Sequence, residues 1–244
     1  MRRLLLALGA AGALLSSGAY AADMPVKGPA VVPMAVPYSW TGFYAGADGG
    51  ELWGKTHTLQ LDTVPPFPSD GKIRLPAYGL HGGYQYQFQH WVIGLEASSS
   101  VAVGDNGVNN YGPCVNPAFS CGISKITNIF TAGGRLGWAW DRWLLAVSGG
   151  WATARIERGA AMNLTTFAPD VTTITPLVRH DGAYAGVGFD WMVARFQNVD
   201  LIFGTEYRHI WLDNKQQVTV TGTPFNIKAD VNQIRSRFDL KFNP

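Results

Sequence analysis

The sequence predicts an all-β chain, an eight-stranded antiparallel up-and-down transmembrane β-barrel. Three observations predict it: strict period-two alternation in several segments, connections that alternate between very short and long, and an export signal at the start. The clearest alternation runs from Ile234 to Phe242. There Ile234, Ser236, Phe238, Leu240 and Phe242 face one way, and Arg235, Arg237, Asp239 and Lys241 the other. Successive strand side chains face opposite sides, so the segment has one apolar wall and one charged wall. Apolar outside and charged inside is what a membrane-spanning barrel requires.

Residues 1–21 read as a secretory signal peptide. Arg2 and Arg3 form its positive region, Leu4 to Leu15 its apolar core, and Ala19-Tyr20-Ala21 a small-x-small cleavage site. The apolar core is shorter than the roughly 18 residues of a spanning helix. Its removal takes away two arginines and no acids, so the formal charge falls from +2 to 0 and a nucleic-acid partner is excluded. Residues 22–39, with Pro25, Pro29, Pro33 and Pro37, read as a stiff proline-rich periplasmic linker, and 40–244 as the barrel domain. Nine tryptophans, 29 glycines and only 15% charged residues suit a sheet whose outer face meets something other than water.

The strands follow in order. The first runs from about Trp40 to Trp53, with Phe43, Ala45 and Ala47 against Tyr44, Gly46 and Asp48. The second, Ala77 to Gln89, sets Tyr84, Tyr86 and Phe88 against glutamines. A tight turn leads to the third, Trp91 to Val101, where Ile93, Leu95 and Ala97 oppose Gly94, Glu96 and Ser98. The fourth, Asn128 to Trp140, turns at Asp141-Arg142 into the fifth, Trp143 to Ile156. The sixth, His180 to Met192, alternates Ala185, Val187, Phe189 and Trp191 with Gly186, Gly188 and Asp190. A turn at 194–198 opens the seventh, Val199 to Leu212, and the Ile234–Phe242 segment is the eighth. Long loops are expected at 55–76, 102–126, 157–179 and 213–230, outside the cell, with both termini periplasmic. About ten residues at ~3.3 Å each, tilted by ~40°, project to an apolar band of about 25 Å. Trp91, Trp140, Trp143 and Trp191 fall beside the short turns, as an aromatic girdle would.

With the apolar side outward, the lumen holds Glu96, Arg135, Asp190, Glu206, Arg208, Arg235, Arg237, Asp239 and Lys241. Eight strands leave room only for side chains, so these charges are expected to pair across the lumen. Glu96 and Glu206 against Arg135 and Arg237 is the expected centre, with Gly133, Gly137, Gly186 and Gly188 making room. Cys114 and Cys121, in a Gly-, Asn- and Pro-rich segment of an exported chain, are expected to form a local disulfide. No metal site is expected, and no catalytic constellation. His81 is expected to face inward, His57 and His180 to lie near the long-loop rim, and His209 to face outward beside Tyr207 without a serine on its face.

The segment Tyr38-Ser39-Trp40-Thr41-Gly42-Phe43-Tyr44-Ala45-Gly46-Ala47, after a linker beginning Ala22-Asp23-Met24-Pro25, resembles the start of the Gram-negative outer-membrane immunogenic protein family. That family comprises small porin-opacity-type barrels, some known as hemin-binding proteins. Ile93-Gly94-Leu95-Glu96, the run from Gly134 to Trp143, Ser148-Gly149-Gly150, Gly186 to Asp190 and Glu206-Tyr207-Arg208 also fit. The resemblance implies an eight-stranded barrel of OmpA-like architecture with roles in envelope integrity, surface antigenicity and, in some members, hemin binding. Members usually end on phenylalanine, whereas Phe242 is followed here by Asn243-Pro244, and Asp190 stands where the family commonly has Glu. The expectation is a non-enzymatic outer-membrane surface protein. Its partners would be outer-membrane lipids, lipopolysaccharide, the barrel-assembly machinery, and host or environmental ligands at the loops. The alternatives are hemin captured by His57 or His180, or a narrow channel.

Overall fold

The computed structural model describes residues 38–104, 112–121 and 124–243. The expected signal peptide, and the expected linker up to residue 37, therefore lie outside the described residues. Eight long strands form a closed antiparallel barrel: β1 (Gly42–Gln60), β2 (Phe67–Phe88), β3 (Trp91–Ala102), β6 (Ser124–Trp140), β7 (Trp143–Arg158), β10 (Val178–Phe196), β11 (Val199–Val218) and β12 (Pro224–Phe242). Each pairs with its neighbours in sequence, and β1 closes the ring on β12, from Phe43↔Phe242 to Gln60↔Phe225. Four short strands, β4 (Gly112–Pro113), β5 (Phe119–Cys121), β8 (Ala161–Asn163) and β9 (Pro169–Asp170), form a separate small sheet in the connections at the far end.

Tight turns fall at 89–90, 141–142 and 197–198. Two of the four expected long loops are not loops. β1 continues to Gln60 and β2 begins at Phe67, while β11 continues to Val218 and β12 begins at Pro224. Segments expected as loop at 55–76 and 213–230 are mostly strand. About 19 residues with the same rise and tilt project to roughly 48 Å, about twice the apolar band of a bilayer. The wall therefore continues well past the membrane.

The side chains show where the bilayer stops. Near the tight turns the outer surface is apolar, with Phe43, Leu80, Leu95, Phe189 and Phe238 exposed. Trp91 packs edge-on against Trp138 at 4.8 Å, and Trp143 stacks on Trp191 at 5.2 Å. A second aromatic level comprises Tyr78, Phe130, Trp151 and Tyr207, with Trp53 6.2 Å from Tyr207. Beyond it the outer face carries Lys55, Lys72, Arg74, Asp181, Lys228 and Asp230, and the inner face becomes apolar. Leu52, Ile73, Leu75, Ile156, Ile210, Leu212, Ile227 and Val231 then belong to one buried core. On this upper part, the expectation that apolar side chains point outward is reversed. Here water lies outside, so ordinary hydrophobic burial dictates the pattern.

Candidate functional site

Below the second aromatic level the lumen is an ionic lattice. Residues of one parity on each strand must point inward, so Glu96 of β3, Arg135 of β6, Asp190 of β10, Glu206 and Arg208 of β11, and Arg235, Arg237 and Asp239 of β12 all lie inside and are buried. Glu96 and Glu206 are central. Arg208 reaches Glu96 at 2.6 Å and Glu206 at 2.8 Å. Arg235 meets the same two carboxylates at 2.7 and 2.6 Å and Asp48 at 3.1 Å. Arg237 spans Glu96 at 2.9 Å, Glu206 at 3.3 Å and Asp239 at 3.0 Å. Arg135, expected opposite the glutamates, pairs instead with Asp190. Their strands β6 and β10 both flank β7, which places the two residues near each other across the inner wall.

Neutral groups complete the lattice. Ser98 and Thr131 each accept from Arg208 at 2.9 Å, Tyr44 donates to Glu96 at 2.9 Å, and Ser148 donates to Glu206 at 2.8 Å. His81 lies between Asp48, at 2.9 Å, and Asp239. With that ring as the imidazolium, five carboxylates face five cations. Burial of ions becomes tolerable through this kind of pairing and hydrogen-bond saturation. Space is made by absent side chains: a β-carbon at Gly204 would strike the Asp190 carboxylate, and one at Gly186 would press on Arg208. Asp48 and His81 were missing from the expected ionic set, although the first and second strands' alternation already placed both inside.

The periplasmic mouth has its own plug. Trp40 is fully buried, with Nε1 donating to Asp141 O at 3.0 Å, and the Tyr38 amide donates to Asp141 Oδ1 at 3.1 Å. Lys241 donates to Ser39 O at 2.7 Å and pairs with Asp200 at 3.2 Å. Residues 38 and 39, assigned to the linker from sequence, are thus part of the barrel's floor.

The histidines named as ligand candidates are not brought together. His57 is on the outer face, 3.1 Å from Asp70. His180 is fully buried inside the upper barrel. Its Nδ1 donates to Asp213 O at 2.9 Å, and its Nε2 accepts from Gln217 Nε2 at 2.9 Å. Burial holds its pKa below the ordinary histidine value. Both nitrogens are in use, so the expected rim position for His180 is corrected to a structural one. His209 faces outward and donates to Asn232 Oδ1 at 2.8 Å. Cys114 and Cys121 form a disulfide with Cα atoms 5.1 Å apart. Among the described residues, no His, Cys, Asp and Glu cluster could hold a metal ion.

No family model matches the chain. Two curated relatives are each 25% identical over 253 residues, covering 96% of this chain and 98% of the relative: the 31 kDa outer-membrane immunogenic proteins of Brucella melitensis and Brucella suis. Among solved structures, Neisserial surface protein A is 14% identical with a TM-score of 0.39, covering 83% of this chain and 98% of its own. Ail of Yersinia pestis, in complex with a heparin analogue, is 7% identical with a TM-score of 0.39, covering 81% and 99%. The outer-membrane protease OmpT of Escherichia coli is 10% identical with a TM-score of 0.40, covering 85% and 99%. From end to end, then, this closed eight-stranded barrel is similar to outer-membrane immunogenic proteins of Brucella.

Proposed function

We propose that the chain is a non-enzymatic surface barrel of the bacterial outer membrane, contributing to envelope integrity and to contacts at the cell surface. The observation that carries this reading is the inversion of the wall. One half is apolar outside and ionic inside, and the other is charged outside and apolar inside. Only a molecule with one end in hydrocarbon and the other in water is stabilised by that pattern. The tight turns and the two chain ends of the barrel, near Phe43 and Phe242, then face the periplasm. The upper wall and the small sheet face outward, where they would present surface epitopes. A groove of about 760 Å³ just past the outer aromatic level is lined by Trp53 and by charges of both signs, Lys55, Lys72 and Arg74 with Glu51 and Asp230, and offers a polar surface for contacts outside the bilayer.

The filled lumen argues against a channel, and the occupied ring of His180 argues against hemin on that side chain. The decisive experiment is heat-modifiable gel migration of the outer-membrane fraction combined with protease treatment of intact cells. The expected result is a compact unheated band, cleavage at the extracellular tips near 61–66 and 219–223, and protection of the tight-turn end. A chain that fractionates as soluble, or whose tight turns are cut from outside, would overturn the reading.

A further inference from the structure

The extracellular half holds one buried ion that its surroundings do not answer. Arg158, at the end of β7, is 3% exposed, yet no acid among the described residues forms an ion pair with it. Its backbone is held firmly, because its amide donates to Thr175 Oγ1 at 2.8 Å and its carbonyl accepts from the Thr175 amide at 3.4 Å. The guanidinium lies 4.1 Å from the centre of the Phe225 ring. A ring face offsets only part of the cost of taking a cation out of water. Burial accordingly pushes its pKa down to about 10.

Arg158 also lines a cavity of about 230 Å³ with Gln60, Phe119, Thr173, Thr219 and Phe225, beside the Cys114–Cys121 disulfide. Asp170 is the one acid among the described residues of that lining. Its Oδ1 accepts from the Thr172 amide at 3.1 Å and from the Thr172 hydroxyl at 2.6 Å, and it forms no ion pair with Arg158. The cavity thus combines a desolvated guanidinium, hydroxyl and amide side chains, and an apolar wall. A guanidinium presents a planar fork that matches a phosphate or carboxylate with two parallel hydrogen bonds. The volume falls below the ~300–1,000 Å³ usual for drug-sized ligands, so the guest is a small anion or the charged tip of a larger solute.

We propose that this cavity at the extracellular mouth of the barrel is an anion site in which Arg158 receives an oxyanion, phosphate or carboxylate, from outside. It is separate from the lumen lattice and does not depend on membrane insertion, so its failure leaves the barrel reading untouched.

The test uses the full chain folded in detergent micelles, titrated with inorganic phosphate or acetate against chloride at constant ionic strength. Calorimetry and the heat-unfolding midpoint are the readouts. Saturable heat and a rising midpoint are expected with at least one oxyanion, and which of the two responds identifies the chemistry. Arg158→Met abolishes the response, and Arg158→Lys, lacking the fork, weakens it at least tenfold. In chloride alone Arg158→Met unfolds no lower than the wild type, because an unanswered ion has been replaced by an apolar chain of similar length. Absence of saturable binding to either oxyanion would overturn the proposal. So would an Arg158→Met protein that unfolds much lower yet titrates like the wild type, since the guanidinium would then act only as a prop.

Discussion

The lower and upper halves of this barrel are built from the same strands and the same hydrogen-bond ladders, yet they bury opposite chemistry. On β12, Phe238 and Leu240 face outward with Arg237 and Asp239 inside, while farther along the same strand Ile227, Ala229 and Val231 are inside and Lys228 and Asp230 outside. The pairing of β1 with β12 is continuous across the change, without a bulge. The backbone therefore does not switch; the solvent does. In hydrocarbon an apolar side chain gains nothing by turning inward, and the small lumen can be given to ions. In water the hydrophobic effect reclaims the interior.

Four changes would break or sharpen this contrast. The largest effect is expected from Glu206→Ala in the lower half, which strips carboxylate partners from Arg208, Arg235 and Arg237 together. Breaking a buried ion network on one side costs about 3–5 kcal/mol, read as a lower urea midpoint of the folded band on unheated gels. Next, Leu95→Arg puts a charge on the lipid-facing wall, at about 2–4 kcal/mol near the bilayer midplane. The same kind of change at Val218, exposed on the outer face of the upper half, is expected to stay within about 0.5 kcal/mol. If both positions respond alike, no bilayer boundary separates them.

A smaller effect is expected from Ile227→Val in the upper core, where loss of one buried methyl group costs about 0.5–1.5 kcal/mol. Its unfolding should follow the same rule in detergent and in lipid, because lipid never touches that residue. The smallest effect is a pH response of the upper half alone. His180 has a folded-state pKa below its ordinary 6.5, chiefly through burial. The unfolded chain therefore binds the proton more readily. Stability is full above about 6.5 and falls as the pH drops from there towards the lower folded value. Hydrogen exchange at the tips of β10 and β11 should accelerate on acidification over that window, and His180→Gln should flatten the response. An equal acceleration near the tight turns would detach the effect from His180.

The strand ends expected from sequence show where reading along the chain stops working. Trp53, Ala77 and Leu212 were expected as boundaries, whereas β1 runs on to Gln60, β2 begins at Phe67 and β11 runs on to Val218; the expected end at Ile156 lies close to the observed Arg158. Past Trp53 and before Ala77 the outward positions turn polar, as at Lys55, Lys72 and Arg74, so an apolar outer face no longer marks the strand. The signal for the upper barrel was present in the opposite parity of Ile227, Ala229 and Val231. It was hidden because a single solvent was assumed along the whole wall. In the lumen, alternation was enough to place Glu96, Glu206 and the four arginines inside. It said nothing about partners, so Arg135 was set against glutamates and pairs with Asp190 instead.

By itself the sequence determined the number of membrane strands, their order, the tight turns and the inward position of the charges. Each of these follows from local period-two geometry and short connections, which need no knowledge of the opposite wall. Only the tertiary structure decided which acid meets which arginine, that residues 38–41 close the floor, and that Arg158 ends buried with no acid paired to it among the described residues. Those outcomes depend on barrel closure and stagger, which set side chains from distant strands at one level and fix what each buried charge has to face.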